Sequence, residues 1–196
     1  MLWSQLDGRL WHATSRDRLK SIIADKEIRV AVGDRYTGSF CRDNGAVCLF
    51  DFGQNSIEFP GQSHNWLGWF GHQQNARYSV WLEIDRALVL ESLQDATATH
   101  AAWRAVIDRG NVEDETDPPK TMIIPGVEAC HRGPIPIKAI SGVLLIDRYD
   151  QDQIQLIGKP GRNTFRDIDV FEAKLPPHDD NPLVAALLSG RNQKNV

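Results

Sequence analysis

The sequence predicts an α+β fold, on three observations. Its 196 residues, 41% hydrophobic and 24% charged, have the makeup of one globular domain rather than of a fibrous or disordered chain. Short apolar or alternating runs bounded by Gly and Pro recur along the chain, as short strands require. Helical spacing is confined to a few segments, and the elements do not alternate as regular βαβ units would.

Leu10 and Trp11 read as the end of a first strand. Behind them Leu19, Ile22 and Ile23 recur at i, i+3 and i+4, which predicts a helix over residues 16–26 with one buried face. Thr14 or Ser15 is a good N-cap, and Asp17 places an acidic side chain in the first turn, where it complements the helix dipole. His12 therefore lies between a strand and a capped helix. Residues 28–32 alternate as a second strand, and residues 46–52 form the best buried-strand candidate of the first half, ending at Gly53.

Residues 53–77 hold Gly, Gln and Asn in abundance together with Trp66, Trp69, Phe70, His64 and His72; so long a stretch of weak periodicity reads as a functional or partner-facing loop. Its aromatic residues serve equally as a satellite hydrophobic cluster beneath a loop. Residues 80–85 alternate cleanly, residues 91–110 turn helical, and residues 113–117 form an acidic, solvated loop before Pro118 and Pro119. Short strands are expected at 122–124, 126–130, 135–140 and 142–146, with an edge strand at 153–157. Residues 1–175 are expected as one domain, followed by a tail at 176–196 with a short helix over 183–188.

No apolar run reaches the roughly 18 residues of a spanning helix, and Asp7 and Arg9 stand where a leader needs apolar residues, so a cytoplasmic protein that does not enter the membrane is expected. Cys41, Cys48 and Cys130 are odd in number and lack C-x-x-C spacing, which predicts neither a disulfide framework nor a bound metal. The net charge of −4 argues against broad binding to nucleic-acid phosphates. Neither the dinucleotide G-x-G-x-x-G nor the phosphate-binding G-x-x-x-x-G-K-[ST] pattern is present, so both common nucleotide folds are disfavoured.

Two distant motifs carry a resemblance. The segment Leu10-Trp-His-Ala-Thr-Ser15 with its following helix resembles the H-x-[ST] opening of ADP-ribosyltransferase-like domains. Residues 127–140, Val-Glu-Ala-Cys-His-Arg-Gly-Pro-Ile-Pro-Ile-Lys-Ala-Ile, are similar to the segment carrying that family's glutamate, and lead into the strand 143–146. The resemblance covers residues 8–147, and its spacing is most similar to the DNA-modifying ADP-ribosyltransferase toxins of toxin–antitoxin systems. It implies a split sheet of short mixed or antiparallel strands with a few flanking helices, NAD as co-substrate, a protein or nucleic-acid acceptor, and an antitoxin or regulatory protein as a further partner.

On that resemblance Glu128 is the catalytic carboxylate, beneath a ribose that gathers positive charge as the nicotinamide bond breaks. His12 would hydrogen-bond the adenosine-side ribose, with Thr14 or Ser15 assisting and the helix start receiving a pyrophosphate oxygen. Tyr36, Phe50 and Phe52 are all candidates to stack on nicotinamide. The toxin pattern has an arginine soon after the middle strand; here Gly53-Gln-Asn-Ser-Ile-Glu58 follows and Arg42 precedes it, so Arg42 is the candidate basic helper. The plainer readings are a structural histidine for His12 and a surface residue for Glu128.

Three other functions are open to the same residues. An RNA 2′-phosphotransferase-like enzyme would draw on Arg16, Arg18, Arg42 and Arg132, and a non-catalytic binding or immunity module would use the fold alone. A metal-dependent hydrolase would use Glu58, His64 and His72, whose spacing matches no strong ligand motif.

Overall fold

A computed structural model describes residues 2–30, 39–53, 77–113, 123–124, 126–147, 150 and 152–176. Within them the fold is mixed α+β, built on an antiparallel sheet. In chain order its elements are α1 (Leu2–Leu6), β1 (Leu10–Thr14), α2 (Arg16–Asp25), β2 (Glu27–Ile28), α3 (Phe40–Asp43), β3 (Ala46–Asp51), β4 (Tyr78–Ile84) and α4 (Arg86–Val89). There follow β5 (Leu93–Gln94), α5 (Ala96–Glu113), β6 (Glu128–Arg132), β7 (Ile135–Pro136), β8 (Ile140–Asp147), β9 (Ile154–Ile157) and α6 (Thr164–Lys174).

Seven strands form one sheet in the order β5-β6-β3-β1-β4-β8-β9, with every neighbouring pair antiparallel, and β2 and β7 make a separate ribbon. The sheet does not divide into two pieces, but it has a seam. β1 and β4 pair over five residues from Leu10 to Thr14, whereas β1 and β3 register only at Leu10↔Asp51 and Trp11↔Phe50.

Both faces of the sheet are covered, so its central strands are apolar on both sides and read as near-continuous hydrophobic runs. One face presents Leu10, Val47, Leu49, Val80, Leu82, Val143 and Leu145 to Leu19 and Ile22 of α2 and to Ile168 and Phe171 of α6. The other presents Trp11, Phe50, Trp81, Leu144 and Ile146 to Leu2 and Leu6 of α1 and to Ile124 and Val127. A third cluster joins Phe40 and Cys41 of α3 to Ala46 and Cys130, with Ala102 and Trp103 of α5 packed against it. Arg16 at the start of α2 pairs with Asp169 and Glu172 of α6, and the Tyr78 hydroxyl donates to the same Glu172, tying the two helices to β4.

Several expectations change. The strand expected at 28–32 is only Glu27–Ile28 among the described residues, where it pairs with Ile135–Pro136. Ile123 and Ile124 are irregular rather than a strand, because they lead into the turn that starts β6. The strand expected at 135–140 is broken by a 3-10 turn at Ile137–Ala139. The helical stretch from 91 begins at Ala96, the residues before it forming a 3-10 turn and the short edge strand β5. Helix α6 was not anticipated, although Thr164, Ile168 and Phe171 bury one face at helical spacing. The helix expected at 183–188 lies outside the described residues. Among those that are described, no helix is long and apolar enough to cross a membrane.

The disulfide expectation is also corrected. Cys41 and Cys130 are bonded, 89 residues apart in the chain. α3 lays Cys41 over β6, a juxtaposition that local spacing does not reveal.

Candidate functional site

The seam between β1 and β3 positions His12. Its register partner is Leu82, so it leaves the sheet on the face of α2 and α6. At this point β3 no longer pairs with β1 along its backbone, and the ring takes over: His12 Nδ1 lies 3.0 Å from the Cys48 carbonyl oxygen. A carbonyl only accepts, so Nδ1 carries the proton. Burial, with a smaller push from the charge of Arg18, lowers the His12 pKa to about 4, and the backbone hydrogen bond only partly offsets this. The neutral ring therefore leaves Nε2 as an acceptor.

Thr14 follows two residues later on the same face of β1, and its Oγ1 is buried without a hydrogen-bond partner among the described residues. A buried hydroxyl left unsatisfied is costly and asks for a reason. Ser15 has a different task. It is the N-cap of α2, and its hydroxyl oxygen accepts from the Arg18 amide at 3.2 Å. Of the two cap candidates, Ser15 caps the helix and Thr14 does not.

Glu128 opens β6 opposite Phe50, which puts it on the other face of the sheet from His12. It is 5% exposed. Its Oε2 accepts from the Ile124 amide at 2.9 Å, and its own amide donates to the Ile124 carbonyl at 2.9 Å, so the carboxylate braces the turn that starts its strand. Oε1 accepts from the Cys48 thiol at 3.4 Å. Burial raises the Glu128 pKa, and the two hydrogen bonds oppose that rise. The thiol is pushed well up by burial and by the neighbouring carboxylate, so it stays a donor.

Cys48 thus touches both candidates, His12 through its carbonyl and Glu128 through its thiol. Sequence reasoning passed over it inside an apolar strand. The available signal was period two, which puts Cys48 on the face of Phe50 and so beside whatever pairs with that strand.

The remaining candidates are spread out. Phe50 and Phe52 are buried on the Glu128 face, Phe50 packing on Trp81 with ring centroids 5.3 Å apart, so both are covered by protein. Arg42 is half-buried in α3. Tyr36, Glu58, His64, Trp66, Trp69, Phe70 and His72 lie outside the described residues. Of the basic residues considered for RNA phosphate, Arg16 is paired with α6, and Arg132 is exposed at the far end of β6.

One further polar centre went unnoticed in the sequence. Asp51, at the end of β3, is 1% exposed; its Oδ1 accepts from the Gly53 amide at 2.8 Å and from the Arg86 guanidinium, while Oδ2 is buried without a partner among the described residues. A Cβ at position 53 would stand 2.7 Å from Arg86 Nη2 and 3.0 Å from Asp51 Oδ1, so a side chain there would push the guanidinium aside. Among the described residues, Cys41, Cys48 and Glu128 bring three possible metal-donor atoms within 4.8 Å of one another.

Compared with known proteins, the chain matches no family model and shows no significant match to any curated protein.

Proposed function

We propose that the protein is an NAD-dependent ADP-ribosyltransferase-like enzyme that moves ADP-ribose from NAD to a macromolecular acceptor in the cytoplasm, as a toxin or effector held in check by an antitoxin or regulatory protein. The observation that carries this reading is the Cys48 bridge: a single residue at the sheet seam contacts both the imidazole and the carboxylate.

The chemistry follows from the states of the groups. Neutral His12, whose Nε2 is an acceptor, suits a ribose hydroxyl, and the Thr14 oxygen two residues on, without a partner among the described residues, suits another. Glu128 supplies negative charge in a water-poor setting, where it stabilises an oxocarbenium-like ribose more strongly than it would in water. The two side chains leave opposite faces of the sheet, and the hydrogen bond between His12 and the Cys48 carbonyl closes the seam between them, so one ligand touches both only if β1 and β3 separate there.

The non-catalytic module is the second reading, favoured by one specific feature. Both Glu128 oxygens already have protein donors, an arrangement that suffices to hold the turn without any substrate.

Incubation of the purified protein with NAD separates these readings. The enzyme is expected to release nicotinamide, and Glu128→Gln, which keeps the size and an accepting oxygen, is expected to slow release by at least about 100-fold while the protein stays folded. Saturable binding of NAD with no turnover would favour the module. Absence of NAD binding, or full activity in Glu128→Gln, would defeat the enzyme reading.

A further inference from the structure

We propose that, once the Cys41–Cys130 bridge is reduced, Cys41, Cys48 and Glu128 bind a thiophilic divalent metal ion such as zinc, with the freed Cys130 as the fourth donor. The disulfide and the metal site are then alternative states of one sulfur cluster.

Distances support the first three ligands. Cys41 Sγ, Cys48 Sγ and a Glu128 carboxylate oxygen lie within 4.8 Å of one another. A tetrahedral zinc ion, with bonds of about 2.0–2.3 Å, holds its donors about 3.3–3.8 Å apart. The Cys48 Sγ to Glu128 Oε1 separation is already 3.4 Å, so the ion would take the place of the thiol proton between them. The second carboxylate oxygen keeps its bond from the Ile124 amide, which orients the ligand as outer partners do in metal sites.

The fourth donor follows from the register. Cys130 is bonded to Cys41 and stands directly opposite Cys48 across the β3–β6 pair, on the same face of the sheet. Three thiolates and one carboxylate form a soft, compact set that selects zinc over magnesium or calcium. The cluster is backed by Phe40, Ala46 and Ile123, which keep bulk water away.

The redox step balances with a dithiol reductant. Thiolate attack on the Cys41–Cys130 bond forms a mixed disulfide, and the second thiol of the reductant resolves it. Two protein thiols are released and the reductant leaves as its cyclic disulfide. Metal binding then displaces the protons of the coordinating thiols. None of this requires NAD, so the proposal stands or falls separately from the transferase reading.

Anaerobic titration of the full chain with cobalt(II), and then zinc, tests it. Protein reduced with a dithiol and freed of excess reductant is expected to bind one ion per chain, with the strong ligand-field absorption of a tetrahedral cobalt–thiolate complex. Oxidised protein should bind none. Cys48→Ala is expected to weaken binding by at least tenfold. Cys130→Ser, which cannot form the bridge, should bind without any reductant, using its three remaining donors. Reduced wild-type protein that takes up no ion, oxidised protein that takes up as much as reduced, or a Cys48→Ala variant with unchanged affinity would each overturn the proposal.

Discussion

At the scale of single residues, His12 and Glu128 make opposite demands on pH. The His12 pKa falls from 6.5 to about 4 in the folded protein, so between those values the unfolded chain binds the proton more tightly. Stability is lost as pH drops through that window, by about 3 kcal/mol for a shift of this size. Glu128, whose pKa is raised, binds its proton more tightly when folded and therefore gains stability as pH falls. Comparing wild type with His12→Asn isolates the first effect. Urea unfolding at pH 7 and pH 4 should show wild type losing about 3 kcal/mol more than the variant, and parallel losses would mean that the imidazole is not desolvated as described.

The residue scale also marks the limit of motif reading. His12, Thr14 and Glu128 were identifiable as residues because of their place beside a strand end, a helix start and a Gly/Pro turn. Their faces were not. Which way each points depends on a register shared by β1, β3 and β6, and an offset of one residue would reverse every side chain.

Among the elements, α2 was the most legible, because its apolar spacing and its cap are both local. Ser15 accepts from the Arg18 amide, and Ser15→Ala is expected to cost about 1 kcal/mol, measured as a shift in the urea midpoint with unchanged slope. An unchanged midpoint would show that the cap contributes nothing. α6 is equally amphipathic, yet it stands outside the segment covered by the family resemblance, and its partner Tyr78 belongs to a distant strand. β1 differs from both helices. It is fully paired with β4 but only briefly with β3, so it forms one wall of a seam, and the ring of His12 replaces a ladder hydrogen bond there.

Across the whole molecule, the Cys41–Cys130 bridge ties the α3–β3 region to β6 over 89 residues. Closing a loop of that length in the unfolded chain accounts for about 4–5 kcal/mol in the chain-entropy treatment, which corresponds to a loss of about 10 °C in Tm on reduction for a protein of this size. Calorimetry with and without a dithiol, in the presence of a chelator, measures it. Identical transitions would mean that the bridge contributes no stability. Restoration of the lost Tm by zinc would join this measurement to the metal site.

What the sequence determined alone was what depends on near neighbours: the α+β class from short runs and punctuation, the helix over 16–26 with Thr14 or Ser15 at its start, the buried strand expected at 46–52, and the identity of the polar residues near turns. Tertiary structure alone decided the strand order, the seam, the bridge between two cysteines that no local motif joins, and the position of Cys48 between an imidazole and a carboxylate. The reason is that strand pairing and register are set by which faces can be buried together, a property of the assembled sheet that no short window of sequence contains.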